Sequence, residues 1–162
     1  MMKVRKGMVK QRGATLIEVL ISVLVLAVGL LGVAATQTMS LKNGNGANQR
    51  YMAALAAQDI VERMRANPSG LEQGSYDGTV DGSETLGNDC TSACSVNALA
   101  SLDLYEWGQV IKTNLPSASG TIGRNGDQVT ITLAWKQQHT GENYGGADGG
   151  TEDASFVMTV EL

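Results

Sequence analysis

The chain has 162 residues and a formal net charge of −4, which is one domain's worth of sequence and excludes a multi-domain enzyme. The charge is uneven: residues 1–13 hold five basic side chains and no acid, and the rest hold seven basic and sixteen acidic ones. Because residues 14–162 are this acidic, they are a poor partner for nucleic acid or anionic lipid. Aromatic residues make up only 4% and glycines number 20, which predicts a small soluble core.

The amino-terminal region combines a basic flank with a long apolar run. Residues 14–35 read ATLIEVLISVLVLAVGLLGVAA, and no charged side chain occurs from Val19 to Leu41. Twenty-two helical residues span about 33 Å, enough for the hydrocarbon core of a bilayer. The basic flank keeps residues 1–13 in the cytoplasm by the positive-inside rule, so the residues after the apolar run are expected on the other side of the membrane. The pattern predicts a single-pass membrane protein.

Glu18 distinguishes this segment from a plain signal anchor. The run is longer than the 7–15 apolar residues of a cleaved secretory signal. A carboxylate inside a membrane helix is costly and usually has a partner, and a plain anchor gains nothing from it. Glu18 therefore indicates a role beyond anchoring.

The residues around Glu18 resemble the processing site of type IV prepilins and pseudopilins. Gly13-Ala14-Thr15-Leu16-Ile17-Glu18-Val19 follows a basic leader and opens a long apolar helix, as in that family. The resemblance implies that a prepilin peptidase cuts between Gly13 and Ala14 and that the new terminus at Ala14 is N-methylated. Ala14 stands where major pilins usually have Phe.

Glu18 has an expected assembly role under this resemblance. Cleavage creates a cationic amine at Ala14, which can meet Glu18 of a neighbouring subunit inside a bundle of apolar helices. An ion pair is tolerated there, whereas an unpaired buried charge is not. The alternative is that Glu18 takes up a proton and stays neutral in lipid.

Two helices and a connection are predicted next. The long helix covers 14–66, with a bend or fray expected at 43–46, where two glycines cost about 2 kcal/mol. Pro68 stops this helix. Residues 69–95 form a Gly/Ser/Asp-rich connection, and apolar residues at helical spacing predict a second helix over 97–115.

Strands complete the chain. Period-2 alternation predicts strands near 119–123, over 129–135 and over 156–162, with a tight turn at 124–127 and a polar glycine-rich loop over 137–153. The fold class is α+β and pilin-like: a long helix packed on a small antiparallel sheet of about three strands, with a second short helix. The predicted divisions are a leader at 1–13, a long helix at 14–66 with a membrane and assembly segment at 14–35, and a periplasmic domain at 67–162.

Later residues are similar to PilV-type minor pilins. The similarity is carried by the run from Ala56 to Asn67, a close cysteine pair, Asp103-Leu104 with Trp107, Leu115-Pro116, and a strand that ends in Trp135.

Cys90 and Cys94 are predicted to form a disulfide, because export exposes them to an oxidising periplasm; free thiols or a metal site are the alternatives. The only histidine, His139, makes a Cys/His zinc site unfavourable, and no catalytic set, metal site or cofactor is predicted. The acids of the two loops are read as solvated: Asp77, Asp81 and Glu84 in the first, Asp148, Glu152 and Asp153 in the second. Asp59, Glu62, Arg63 and Arg65 are predicted to pair on the helix surface.

The resemblance implies a structural subunit rather than an enzyme: a minor pilin that helps prime type IV pilus assembly and then enters the extracellular fibre. Its implied partners are other minor pilins, the major pilin, the prepilin peptidase and methyltransferase, and the inner-membrane assembly machinery; no nucleic acid is expected. The alternatives are a minor pseudopilin of type II secretion and a surface-exposed adhesion subunit at the pilus tip.

Overall fold

A computed structural model describes residues 13, 15–87, 90–91, 94–138 and 150–162 of the chain. Backbone contacts divide the chain into two compact units, one ending at Ser40 and the other covering Leu41–Leu162. The predictions for the basic leader, Ala14, His139 and Asp148 fall outside the described residues.

Helix α1 covers Leu16–Ala66 and belongs to both units. It runs through 43–46 without a break, so the fray expected there is wrong. Two anchors in the second unit explain the continuity. The side chain of Gln49 accepts a hydrogen bond from Trp135 Nε1 at 3.2 Å, and Ala53, which follows within two turns, is fully buried in the core. Tertiary packing therefore outweighs the local cost of the glycines.

Two short elements lie in the region predicted as a connection. Helix α2, Pro68–Glu72, begins directly after α1, and Asn67 caps it by accepting a hydrogen bond from the Gly70 backbone N–H at 3.3 Å. Proline suits the first helical position, since its missing N–H would have no partner there. Pro68 therefore separates two helices rather than opening a loop, and strand β1, Gly78–Val80, follows.

Helix α3 covers Val96–Asn114, one residue earlier at each end than predicted. Ser95 caps its start by accepting a hydrogen bond from the Ala98 N–H at 3.2 Å. Its buried face includes Ala100, Trp107 and Ile111, which confirms the helical spacing of these apolar residues.

Within the described residues the sheet has four antiparallel strands in the order β1-β2-β3-β4, one more than the three or so that the sequence predicted. The remaining strands are β2 Ser119–Asn125, β3 Gln128–Gln138 and β4 Thr151–Glu161. Asn125 pairs with Gln128 across a tight turn in which Gly126 has a φ of 64°. β3 and β4 pair over eleven residues each, and both reach into the stretch 137–153 that the sequence predicted as loop.

The core of the second unit lies between the sheet and the buried face of α1 and α3. Val129, Ile131, Leu133 and Trp135 of β3 alternate inward as predicted, and all are buried. Trp107 is fully buried and donates a hydrogen bond from Nε1 to the carbonyl of Ala56 at 2.9 Å. This indole lies against Gly120 of β2, so the sheet and α3 approach closely at a glycine.

Candidate processing and assembly segment

The predicted processing site lies immediately before α1. Gly13 is exposed, and a Cβ built on it would meet no heavy atom within 4 Å. Thr15 is exposed as well, and α1 begins at Leu16. Gly13 and Thr15, the described residues on either side of position 14, both lie outside the helix. Ala14, the residue whose amine would be released, lies outside the described residues.

Glu18 lies in the first turn of α1. Its backbone N–H and that of Val19 donate to the carbonyl of Thr15 at 3.0 and 3.2 Å, which closes that turn. An acidic side chain at a helix N-terminus interacts favourably with the partial positive charge there. The side chain is exposed, and no described residue forms a salt bridge with it. The Glu18 carboxylate is therefore exposed at the start of α1.

The first unit exposes a continuous apolar surface. Large apolar side chains from Leu16 to Leu41 are exposed, and these two are 79% and 72% exposed. Within the described residues, one helix, α1, is long and apolar enough to cross a membrane. Apolar surface of this extent needs lipid or other helices around it.

In the second unit, Arg63 joins α1 to α3. It contacts Asp59 at 3.1 Å and Glu106 at 2.6 Å, and its Nη1 also lies 3.1 Å from Asp103. Burial disfavours the charged guanidinium, but Glu106, Asp59 and Asp103 raise the pKa of Arg63 further above its ordinary value. The predicted helix-surface pairs are confirmed, since Arg65 also bonds Glu62 at 2.6 Å. The links to α3 were not predicted.

Asp103 anchors a buried polar network. Its second carboxylate oxygen accepts a hydrogen bond from the Tyr76 hydroxyl at 2.6 Å, and Asn67 donates to that hydroxyl at 3.2 Å. Burial and the bond to Asp103 raise the pKa of Tyr76, although the bond from Asn67 opposes them. The sequence held a signal for this network, because Asp103 is a charged residue within the apolar stripe that includes Ala100 and Trp107.

The remaining predicted sites are small. Cys90 and Cys94 are joined in a disulfide with Cα atoms 5.3 Å apart. Glu84 organises its own loop by accepting from the Asp81 and Gly82 backbone N–H groups, each at 2.9 Å. No three metal-ligating side chains cluster among the described residues.

Two further predicted loop acids lie in strand β4. Asp153 pairs with Lys136 at 2.8 Å, and Glu152 accepts from Gln137 Nε2 at 2.7 Å. Their assignment to a loop is therefore wrong, because β3 and β4 extend far enough to carry these acids opposite β3 side chains.

The fold and the segment before it define a class: a membrane-anchored subunit with an exposed apolar helix and a small α+β unit. Two family models match. The prokaryotic N-terminal methylation motif matches residues 8–34, and the model described as type IV pilin Tt1218 matches residues 35–105. No curated protein and no solved structure matches the chain significantly. Together the two matches cover residues 8–105 and support the type IV pilin superfamily. That is a family of structural subunits, processed by a prepilin peptidase and assembled with other pilins.

Proposed function

We propose that this protein is a minor pilin, of the PilV kind, that primes assembly of a type IV pilus. A peptidase cuts it between Gly13 and Ala14 in the inner membrane, and the new terminus is N-methylated. Residues 1–13 face the cytoplasm, and residues 67–162 face the periplasm. The subunit then enters the fibre beside other minor pilins and the major pilin.

One observation carries this proposal: Glu18 is the single acid in the exposed apolar part of α1, from Leu16 to Leu41, and it has no ion-pair partner among the described residues. In an apolar bundle, a carboxylate without a partner is strongly unfavourable. The amine released at Ala14 of a neighbouring subunit supplies the opposite charge. Pairing of the two fixes the axial offset between adjacent helices, which is what assembly requires.

The test is Glu18→Ala in the full-length protein, with Glu18→Gln to keep the size of the side chain. We expect normal insertion and processing, because alanine makes the segment more apolar. We expect the amount of the subunit in sheared pili to fall more than about tenfold, since the neighbour's amine would be left unpaired. Ser22→Ala is the matched control, because its hydroxyl bonds only the backbone carbonyl of Glu18, at 2.7 Å.

Mass spectrometry and piliation counts decide the other parts of the proposal. A mature protein that retains residues 1–13 contradicts cleavage after Gly13. If Glu18→Ala enters fibres at the wild-type level, the pairing argument is wrong. A deletion strain should lose pili and regain them when retraction is disabled, as expected of an initiator; loss of type II secretion instead would assign the protein to that system.

A further inference from the structure

Strand β4 forms a long open edge of the sheet. Among the described residues β4 pairs only with β3, over eleven residues and without a bulge, whereas β1 at the opposite edge has three residues. Natural sheets block exposed edges with lysine, proline or a bulge. Residues 151–162 contain no lysine, arginine, proline or glycine. This strand therefore lacks the usual protections against pairing with another chain.

The hydrogen bonds to β3 show which backbone groups of β4 face the open side. The Leu162 N–H donates to the Asp127 carbonyl at 3.0 Å, one position beyond the pair of Glu161 with Gln128. Bonding alternates along an antiparallel strand, so the even-numbered residues of β4 bond β3. The N–H and C=O groups that face away from β3 belong to Ser155, Val157, Thr159 and Glu161. We call this side of the strand the β4 edge.

An incompletely covered apolar surface lies beside the β4 edge. Phe156, Met158 and Val160 pack against the core but are only partly buried. Met158 and Val160 also line a pocket of about 340 Å³ with Gln58 and Glu62 of α1. Side chains alternate between the two faces of a strand. Every second side chain of a strand added at the β4 edge would therefore lie over this surface.

The neighbouring face of α1 extends the apolar surface. Leu55 precedes Gln58 by three residues and Glu62 by seven, so it lies on the same face of the helix. Tyr51 is four residues before Leu55 and follows on that face. The two side chains are 42% and 60% exposed, although Ala53 and Ala57 of the same helix segment are fully buried. Apolar residues of an added strand would cover them.

The charges of β4 favour a basic partner. The strand carries three acids and no cation. Asp153 pairs with Lys136 at 2.8 Å, whereas Glu161 forms no ion pair with a described residue. Opposite charges on directly opposed residues stabilise paired strands, and like charges destabilise them. A strand with lysine or arginine opposite Glu161 is therefore the complementary one.

The direction of α1 argues against a second copy of this chain as the partner. Gln49 of α1 bonds Trp135, which pairs with Ala154 of β4, and further along Gln58 and Met158 line one pocket. α1 and β4 therefore run in the same direction. Antiparallel pairing of two β4 strands would point the two α1 helices in opposite directions, whereas copies whose α1 helices cross one membrane point the same way.

We propose that the β4 edge binds an extended segment of a different protein chain as an antiparallel fifth strand. The segment has apolar residues at every second position, which cover Met158, Val160 and Leu55, and a lysine or arginine that faces Glu161. Its backbone bonds the open N–H and C=O groups of the β4 edge. The proposal does not depend on the role of Glu18 or on a minor-pilin function.

Binding of designed peptides to the full-length protein in neutral micelles, followed by fluorescence anisotropy, tests the proposal. The probe has nine residues, with valine at every second position and threonine or lysine between. In the proposed arrangement the N–H groups of its threonines and lysines face β4, and those of its valines face away. N-methylation of the first set should weaken binding more than about tenfold, because the bonds to β4 are lost. N-methylation of the valines should leave binding unchanged.

Variants of the protein locate the site. Val157→Pro removes an N–H that faces the open side and no bond to β3, so the fold should persist while peptide binding falls more than about tenfold. Val157→Thr keeps the N–H and is the matched control. Glu161→Gln should weaken binding of the lysine peptide about threefold and remove its preference over a peptide with glutamate in place of lysine. Near-ultraviolet circular dichroism of the tryptophans checks that each variant is folded.

Three results would overturn the proposal. Equal binding of the two N-methylated peptides would indicate apolar adhesion rather than strand addition, and this comparison uses the wild-type protein, so it holds even if Val157→Pro does not fold. Binding of the glutamate peptide as tight as that of the lysine peptide would exclude a basic partner. A dimer that Val157→Pro abolishes would assign the β4 edge to a second copy. Processing and the Glu18→Ala result should be unaffected by these variants, so the two proposals fail separately.

Discussion

Replacing Gly120 by alanine should destabilise the second unit through a single contact. Gly120 lies in β2 on the core side, and a Cβ there would lie 2.7 Å from Cζ3 of Trp107 and also clash with its Cη2. The indole cannot move away freely, because it is fully buried and its Nε1 bonds the carbonyl of Ala56 at 2.9 Å. Either the sheet separates from α3, or the tryptophan tilts and loses its hydrogen bond.

The expected cost follows from these two routes. Overpacking of a core costs about 1–3 kcal/mol, and loss of a buried hydrogen bond adds about 1 kcal/mol. The free energy of unfolding should therefore fall by about 2–4 kcal/mol. For a unit of this size, about 4 °C of Tm corresponds to each kcal/mol, so the Tm should fall by roughly 8–16 °C.

The assay is thermal unfolding of the full-length protein in micelles, followed by the near-ultraviolet circular dichroism of the tryptophans. Gly123→Ala is the matched control, since it lies in the same strand and its Cβ would meet nothing within 4 Å; it should change stability by less than about 0.5 kcal/mol. Trp107→Phe should partly suppress the effect of Gly120→Ala in the double mutant. Equal Tm values for the two alanine variants would refute the reasoning.

Three further predictions concern the polar contacts and the disulfide of the second unit. Arg63→Leu should lower the free energy of unfolding by about 2 kcal/mol, measured in urea, because the buried side chain of Asp103 would lose its cationic partner. Tyr76→Phe should make the free energy of unfolding depend less on pH in alkaline solution. The pKa of Tyr76 is raised in the folded state, so the contribution of its hydroxyl to stability is complete below pH 10.0 and is lost as the pH rises through the folded-state pKa. The disulfide between Cys90 and Cys94 predicts no titratable thiol in exported protein, and its loss should cost about 2 kcal/mol, since the ring is small.

A specific result would contradict each of these three predictions. Arg65→Leu removes only an exposed pair and should cost less than about 1 kcal/mol, so equal losses at Arg63 and Arg65 would argue against a special role for the link to α3. If the urea midpoint falls as steeply with pH in Tyr76→Phe as in the wild type across pH 9–12, another group controls the alkaline transition. Two reactive thiols in protein from the periplasmic side would show that the bond does not form.

Local patterns predicted the elements with strong periodicity. α3 and β3 repeat their apolar residues at spacings that only one regular structure satisfies, and both appear close to the predicted bounds. β1 has three residues, and α2 has five. Neither is long enough to show a period, and β1 exists because Val80 pairs with Gly120 of the neighbouring strand.

Contacts between distant residues decided the polar networks. Sequence spacing predicted surface pairs such as Arg63 with Asp59, because residues four positions apart lie on the same face of a helix. It could not predict the bond from Arg63 to Asp103, because that distance depends on how α3 packs against α1.

The sequence by itself indicated a pilin-like protein with an apolar helix that is long enough to cross a membrane. A basic leader, a glycine, an acid at a fixed offset and an uninterrupted apolar run are local features, so they are visible in the sequence without knowledge of the fold. Only the tertiary structure decided that Gln58 and Met158 line one pocket, because strand pairing and helix packing bring together residues that are far apart along the chain. Local alternation cannot reveal that β4 lies at the edge of the sheet, since that depends on the order in which the strands pair.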